Sequence, residues 1–160
     1  MYVELEYTTA YNVDGANVTS NNAYTVSTSM RFNLTRVVSN NVGASLSGYE
    51  VTLPAGTWQV DGEFSVGYGG SANVMVLAPV IIDLTAGVIK QSGLYRQIAP
   101  VNGSINQTLS INRTFTLDVE SAVSIMLGGT DGKNMKQGEA HGQVGLGDNV
   151  FNTVKFTKIG

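Results

Sequence analysis

Polar and apolar residues alternate strictly from Trp58 to Tyr68. Trp58, Val60, Phe64, Val66 and Tyr68 fall on one face, and Gln59, Asp61, Glu63 and Ser65 on the other. A period of two held over so many positions predicts a half-buried β-strand. Ahead of it, the proline and glycine of Leu53-Pro54-Ala55-Gly56-Thr57-Trp58 predict a tight turn out of a preceding strand, Tyr49 to Leu53. Val3, Leu5 and Tyr7 alternate with Glu4 and Glu6 and predict a first strand. Met30, Phe32 and Leu34 alternate with Arg31, Asn33 and Thr35 and predict a second, broken by Asn40-Asn41-Val42-Gly43. Further on, Leu109, Ile111, Phe115 and Leu117 share a face, then Val123, Ile125 and Leu127, then Val150, Val154 and Phe156. Residues 8–27 are polar, carry the turn signal Asp14-Gly15, and read as a long arm or loop; the Gly-rich, charged stretch 128–148 reads as an exposed loop. No stretch shows the i, i+3, i+4, i+7 spacing of an amphipathic helix.

One segment breaks the alternation. Val74 to Ile82 is apolar on both faces, with Met75, Leu77 and Ile81 opposite Val74, Val76, Val80 and Ile82. A sandwich strand ordinarily wets one face, so something must cover the second. The C-terminal strand poses the same problem, because Phe151 and Ile159 point opposite to Val150, Val154 and Phe156. The cover is either a segment of the same chain or a neighbouring subunit, and the pattern weighs the two equally. On the second reading Met75, Leu77, Ile81, Phe151 and Ile159 are the expected subunit-interface residues. Pro79 lacks a ladder donor, which predicts a bend or a sheet edge there.

Composition sharpens the picture. Charged residues make up 13% of the 160, against roughly 25% in an average soluble domain, and glycine reaches 19. With no repeat and no linker, these numbers fit one all-β domain large enough to bury a core. The net charge of −3 and the spread of the nine basic residues along the chain argue against a nucleic-acid partner. No apolar run reaches the length of a membrane span, so no membrane insertion is expected. The absence of cysteine removes disulfide and thiolate chemistry, so stability must come from the core or from partners.

Candidate chemistry is thin. The one histidine, His141, sits in Gly138-Glu139-Ala140-His141-Gly142, without an evident orienting partner for a general base. No Gly-X-Ser-X-Gly nucleophile turn occurs. Asp61, Glu63, Asp83 and Glu120 could meet in space as a glycosidase pair, but Asp61 and Glu63 lie on the wet face of their strand. Asp131-Gly132-Lys133-Asn134 lacks the ligand series of a calcium loop, and its lysine opposes a cation. Gly67-Tyr68-Gly69-Gly70 and Gly145-Leu146-Gly147 open no helix and so lack phosphate-loop geometry. Sequons at Asn17, Asn33, Asn102, Asn106 and Asn112 are what an Asn/Thr-rich chain produces by chance. The expectation is a protein that is not an enzyme, with no cofactor and no metal site.

Several of these pieces together resemble the tumour necrosis factor-like, or complement-head-like, jelly rolls of bacteriophage fibres, spikes and decoration proteins. They are Arg31 to Asn33, the Asn-rich turn Asn40 to Leu46, Val51 to Trp58, and the closing strand Val150 to Ile159. Val51 to Trp58 is the most specific of them; Phe32-Asn33 departs from a commoner Leu-Asn order. The resemblance implies an antiparallel jelly-roll β-sandwich and a homotrimer about a threefold axis. It also implies a virion protein. The division expected is an N-terminal strand and docking arm, residues 1–27, followed by a jelly-roll head, residues 28–160. Tyr2, Val3, Leu5 and Tyr7 are the expected particle-docking residues. The chain shows no coiled coil, collagen run or β-helix repeat, which favours a capsid decoration or small spike attached to capsid or tail proteins. The alternative is a fibre or spike tip binding a host-surface glycan or receptor, for which Tyr24, Tyr68 and Tyr95 are the aromatic candidates.

Overall fold

The computed structural model describes residues 1–9, 15–20, 30–72, 75–98, 101–129, 134–137 and 149–160. Among them the chain runs through β1 (Tyr2–Thr9), β2 (Asn17–Thr19), β3 (Arg36–Asn40), β4 (Ser45–Ser47), β5 (Glu50–Leu53) and β6 (Gly56–Ala72). It continues through β7 (Met75–Asp83), β8 (Val88–Ser92), β9 (Arg96–Ile98), β10 (Val101–Leu117), β11 (Ser121–Gly129), β12 (Asn134–Lys136) and β13 (Asn149–Lys158). The first sheet is ordered β2-β12-β6-β13-β1-β3, with β10 also paired to β6; the second is β4-β5-β11-β7-β8, with β9 also paired to β7. Every pairing between these strands is antiparallel. The two sheets enclose one main core, and the architecture is a jelly-roll β-sandwich.

β6 organises the first sheet as its alternation predicts. Trp58, Val60, Phe64 and Val66 are buried, and β10 pairs with β6 along its whole length, from Leu117 opposite Gly56 to Val101 opposite Ala72. The turn before it has a physical reason for each of its residues. The Pro54 carbonyl accepts the Trp58 indole N–H at 3.0 Å. Gly56 has φ of +142°, and a Cβ there would stand 2.5 Å from the Gly160 carbonyl oxygen. The chain end thus packs onto this turn, and the Thr57 N–H donates to that same oxygen at 2.6 Å.

Three expectations fail, each for a definable reason. Met30, Phe32 and Leu34 are buried, but their segment is not a ladder strand; only Arg31 makes an isolated bridge, to Met126. The segment crosses the end of the sandwich: the Phe32 N–H donates to Ile125 of the second sheet, and the Thr35 N–H to Glu6 of the first. The ladder strand is β3, whose residues are mostly exposed and so carry no apolar alternation. The division at residue 27 also fails. β1 lies between β13 and β3, with Val3, Leu5 and Tyr7 buried, and Val18 of β2 belongs to the main core. Tyr7 further accepts the Ala16 N–H at 2.8 Å. Part of the stretch expected as an exposed loop is likewise built in, since Met135 and Gln137 are buried.

The two-sided apolar strand is covered by its own chain. Met75, Leu77 and Ile81 are 1%, 1% and 0% exposed and face the main core. On the other side Ile82 packs with Met126 and Met30, flanked by Leu84. Pro79 sits where β8 has ended and β9 has not begun, so its missing N–H interrupts no ladder. Its carbonyl, on that same edge of the strand, accepts the Gly93 N–H at 2.7 Å.

Candidate functional site

The residues expected to meet partners divide sharply. Met75, Leu77 and Ile81 are core residues inside one chain, which corrects their placement at a subunit interface. Phe151 is half-buried, with its ring 6.1 Å from that of Tyr7. Ile159 is exposed beside Thr57, to whose carbonyl its N–H donates. Among the expected docking residues, Val3, Leu5 and Tyr7 point into the sandwich and cannot reach a particle surface without unfolding it. Tyr2 remains on the outer face, with the Lys155 ammonium 4.1 Å from its ring centroid.

The candidate carboxylates do not converge. Asp61 and Glu63 lie on the outer face of the first sheet, where Asn112 donates to Asp61. Asp83 is buried in the second sheet, accepting the Ala86 N–H at 3.0 Å and facing the Lys90 ammonium at 3.5 Å. It therefore fastens the β7–β8 turn. Glu120 is exposed in the β10–β11 turn. Among the described residues no group of three or more His, Cys, Asp or Glu side chains could hold a metal ion. His141, Tyr24 and residues 131–133 lie outside the described residues.

An interior polar cluster escaped the sequence reading altogether. Asn33, Gln137 and Asn152, distant along the chain, meet in the core with at most 8% exposure. Gln137 accepts the Asn33 N–H at 2.6 Å and donates to the Asn33 side-chain oxygen at 3.0 Å. Asn152 donates to Gln137 at 2.9 Å and to the Asn33 carbonyl at 3.3 Å, and accepts the Ser65 N–H at 3.2 Å. Gln137 and Asn152 each use both amide oxygen and nitrogen, so the cluster ties the crossover segment, β6 and β13 into one register. Its readable signal is Asn152, a polar residue at an inward position ahead of Val154 and Phe156.

The surface features suited to recognition lie on the two edges of the sandwich. On one edge β8 and β9 both pair with β7 and leave Gly93-Leu94-Tyr95 in the gap between them. The Leu94 N–H donates to Ser110 of the opposite sheet at 3.2 Å, and the Arg113 guanidinium donates to the Ser92 carbonyl at 3.1 Å. A Cβ on Gly93 would stand 2.4 Å from the Ser110 carbonyl oxygen and 2.7 Å from the Pro79 ring, so only glycine permits this approach. The stitched backbone presents Leu94 and Tyr95 side by side, 58% and 55% exposed. Apolar side chains on a fixed backbone lose little freedom on binding.

The other edge is β3. Among the described residues it pairs with β1 alone, and the register skips Val38 between Leu5 opposite Val37 and Glu4 opposite Ser39. This bulge leaves Val37 and Val38 43% and 46% exposed and twists the strand away from simple extension of the sheet. Side chains are offered there more than ladder groups.

Comparison with solved structures agrees with this architecture. A structure described as the globular domain of zebrafish complement 1qA protein superposes with a TM-score of 0.51 at 10% identity, over 99% of this chain and 97% of that one. A structure described as Eiger TNF from S. frugiperda superposes with a TM-score of 0.54 at 8% identity, over 100% of this chain and 92% of that one. No protein-family model and no curated protein matches the sequence. The fold is therefore the tumour necrosis factor-like jelly roll, established by shape and not by sequence kinship.

Proposed function

We propose that the protein is a non-enzymatic jelly-roll head that self-associates as a homotrimer and serves as a structural virion protein, a decoration or small spike held on capsid or tail proteins of a phage particle. The observation that carries self-association is the rigid display of Leu94 and Tyr95 on one sandwich edge, with a second apolar pair, Val37 and Val38, on the other. Two different patches on opposite edges suit a head-to-tail ring better than a twofold dimer, whose two halves must present the same patch. The count of three is an implication of the family resemblance. The virion role rests on the likeness of Val51 to Trp58 and its flanking segments to phage heads. With Val3, Leu5 and Tyr7 in the core, Tyr2 is the one expected docking residue still presented to a particle. Mass spectrometry of purified particles, followed by cryo-EM of their surface, tests the role: this chain at stoichiometric copy number on the exterior supports it, and its absence from intact particles overturns it.

A second reading is a fibre or spike tip that binds a host-surface glycan or receptor, and exposed Tyr95 favours it, since an aromatic ring on a fixed backbone suits the apolar face of a sugar. Labelled protein that binds host cells, with binding abolished by Tyr95→Ala while assembly persists, would select this reading over the first.

A further inference from the structure

Two departures from stable folding meet at one place on the second sheet. Tyr49 is the one non-glycine residue with a positive φ among the described residues, +71° after Gly48 at +54°. The two fill the centre of the β4–β5 turn, where a hairpin needs two left-handed residues and small ones such as Asn-Gly meet the need at least cost. A tyrosine there strains the backbone, and at 39% exposure it joins neither apolar core. The second departure begins at its neighbour. Glu50 accepts from Nη1 of Arg31, while the buried Arg31 Nε–H has no acceptor. An unpaired donor costs stability, and more so on a charged group. β11 brings these residues together from distant parts of the chain. The β5–β11 ladder stops at Val51 opposite Val123, and further along β11 Arg31 bridges Met126. Between them the Ser124 hydroxyl donates to the Tyr49 carbonyl at 3.3 Å.

We infer that Tyr49, Glu50 and Arg31 form a contact site for a neutral saccharide, at the end of the second sheet opposite to Leu94 and Tyr95. The site rests on the second reading above, a host-surface glycan as ligand, and gives that reading a place and a sugar class. The Tyr49 ring offers a flat apolar surface to one face of a sugar ring. The Glu50 carboxylate is 35% exposed and accepts a hydrogen bond from a sugar hydroxyl. The Arg31 guanidinium, 11% exposed and held to Glu50 through one nitrogen, gains its missing acceptor by turning toward the adjacent hydroxyl. Vicinal hydroxyls both donate and accept, so they match a carboxylate set beside a guanidinium. An anionic ligand would meet Glu50 and a cationic one Arg31, which selects a ligand without charge. Strain and an unpaired donor then share one reason: both side chains are kept for a partner that the folded chain does not itself supply.

A printed array of neutral and acidic oligosaccharides, probed with the labelled protein, tests the site. Calorimetric titration of the most strongly retained oligosaccharide into wild type, Tyr49→Gly, Tyr49→Phe, Glu50→Gln and Tyr95→Ala follows, with a thermal melt of each variant. Neutral oligosaccharides are retained. Tyr49→Gly melts above the wild type yet binds about tenfold or more weakly, a combination that a merely structural tyrosine would not produce. Tyr49→Phe keeps both ring and backbone and holds most of the affinity, and Glu50→Gln loses about tenfold. A Tyr49→Gly variant that binds as the wild type does, or that loses binding and melts lower, overturns the site. Binding lost with Tyr95→Ala and not with Tyr49→Gly overturns the site while leaving the glycan reading standing. Retention of acidic oligosaccharides alone overturns the match of a neutral diol to Glu50 and Arg31. A wild type that retains no oligosaccharide overturns the glycan reading and the site together.

Discussion

Asn152→Ala attacks the interior where the fold has no alternative partner to offer. Asn152 is fully buried and accepts from the Ser65 N–H while donating to Gln137 and to the Asn33 carbonyl. Alanine removes all three bonds and leaves the part-buried Ser65 N–H and the buried Asn33 carbonyl without this partner. The Gln137 oxygen keeps the Asn33 N–H, so its loss is smaller. Each orphaned group costs about 1–3 kcal/mol, so the two together cost about 2–6 kcal/mol. Against a usual domain stability of about 5–15 kcal/mol that is a large share. At about 2–4 °C per kcal/mol for a chain of this size, melting falls by roughly 4–24 °C. Urea unfolding at fixed protein concentration reads the loss as a shifted midpoint at constant slope. Gln137→Ala in the same background should cost less than it does alone, because the cluster is already broken. A loss below about 1 kcal/mol for Asn152→Ala, or strict additivity of the pair, refutes the view that these amides act as one lock.

Removal of residues 1–9 strips the strand that joins β13 to β3 together with buried Val3, Leu5 and Tyr7, and should abolish cooperative unfolding; a truncated head with a sharp thermal transition contradicts this. Gly93→Ala drives a Cβ into the Ser110 carbonyl and the Pro79 ring and should cost about 1–3 kcal/mol in chemical denaturation; an unchanged midpoint contradicts the packing described. Tyr49 holds φ of +71° after Gly48 at +54° in the β4–β5 turn, so Tyr49→Gly should relieve strain and raise stability by about 1 kcal/mol; a lower melting temperature contradicts it.

Where alternation was strict and one face met water, the strands were legible. β1 and β6 follow their sequence pattern residue by residue, and the Pro54–Gly56 turn was visible because its two special residues have few other uses. The pattern of β7 was equally plain, yet it could not say what covers the second face, because Met30 and Met126 come to Ile82 from distant parts of the chain. Met30 to Leu34 carries the period of a strand because it touches both sheets in turn, and burial alone does not require a ladder. β3 went unseen for the opposite reason: an exposed edge strand needs no apolar face. Val150 misled as well. The bulge between Tyr7 and Thr8 skips Phe151, so Val150 turns out to solvent while Asn152 turns in. Tyr95 was legible only as one of three aromatic candidates and Leu94 not at all; the prominence of the pair depends on Gly93 and on hydrogen bonds to Ser110 and Pro79, which only the assembled sandwich brings together.

Self-association is the claim on which the proposed role depends, and the mass of the purified wild type in solution tests it most directly. Light scattering coupled to size exclusion, at micromolar concentration and physiological salt, should return three times the chain mass of 16.9 kDa. A single species at 16.9 kDa across that concentration range would contradict the account.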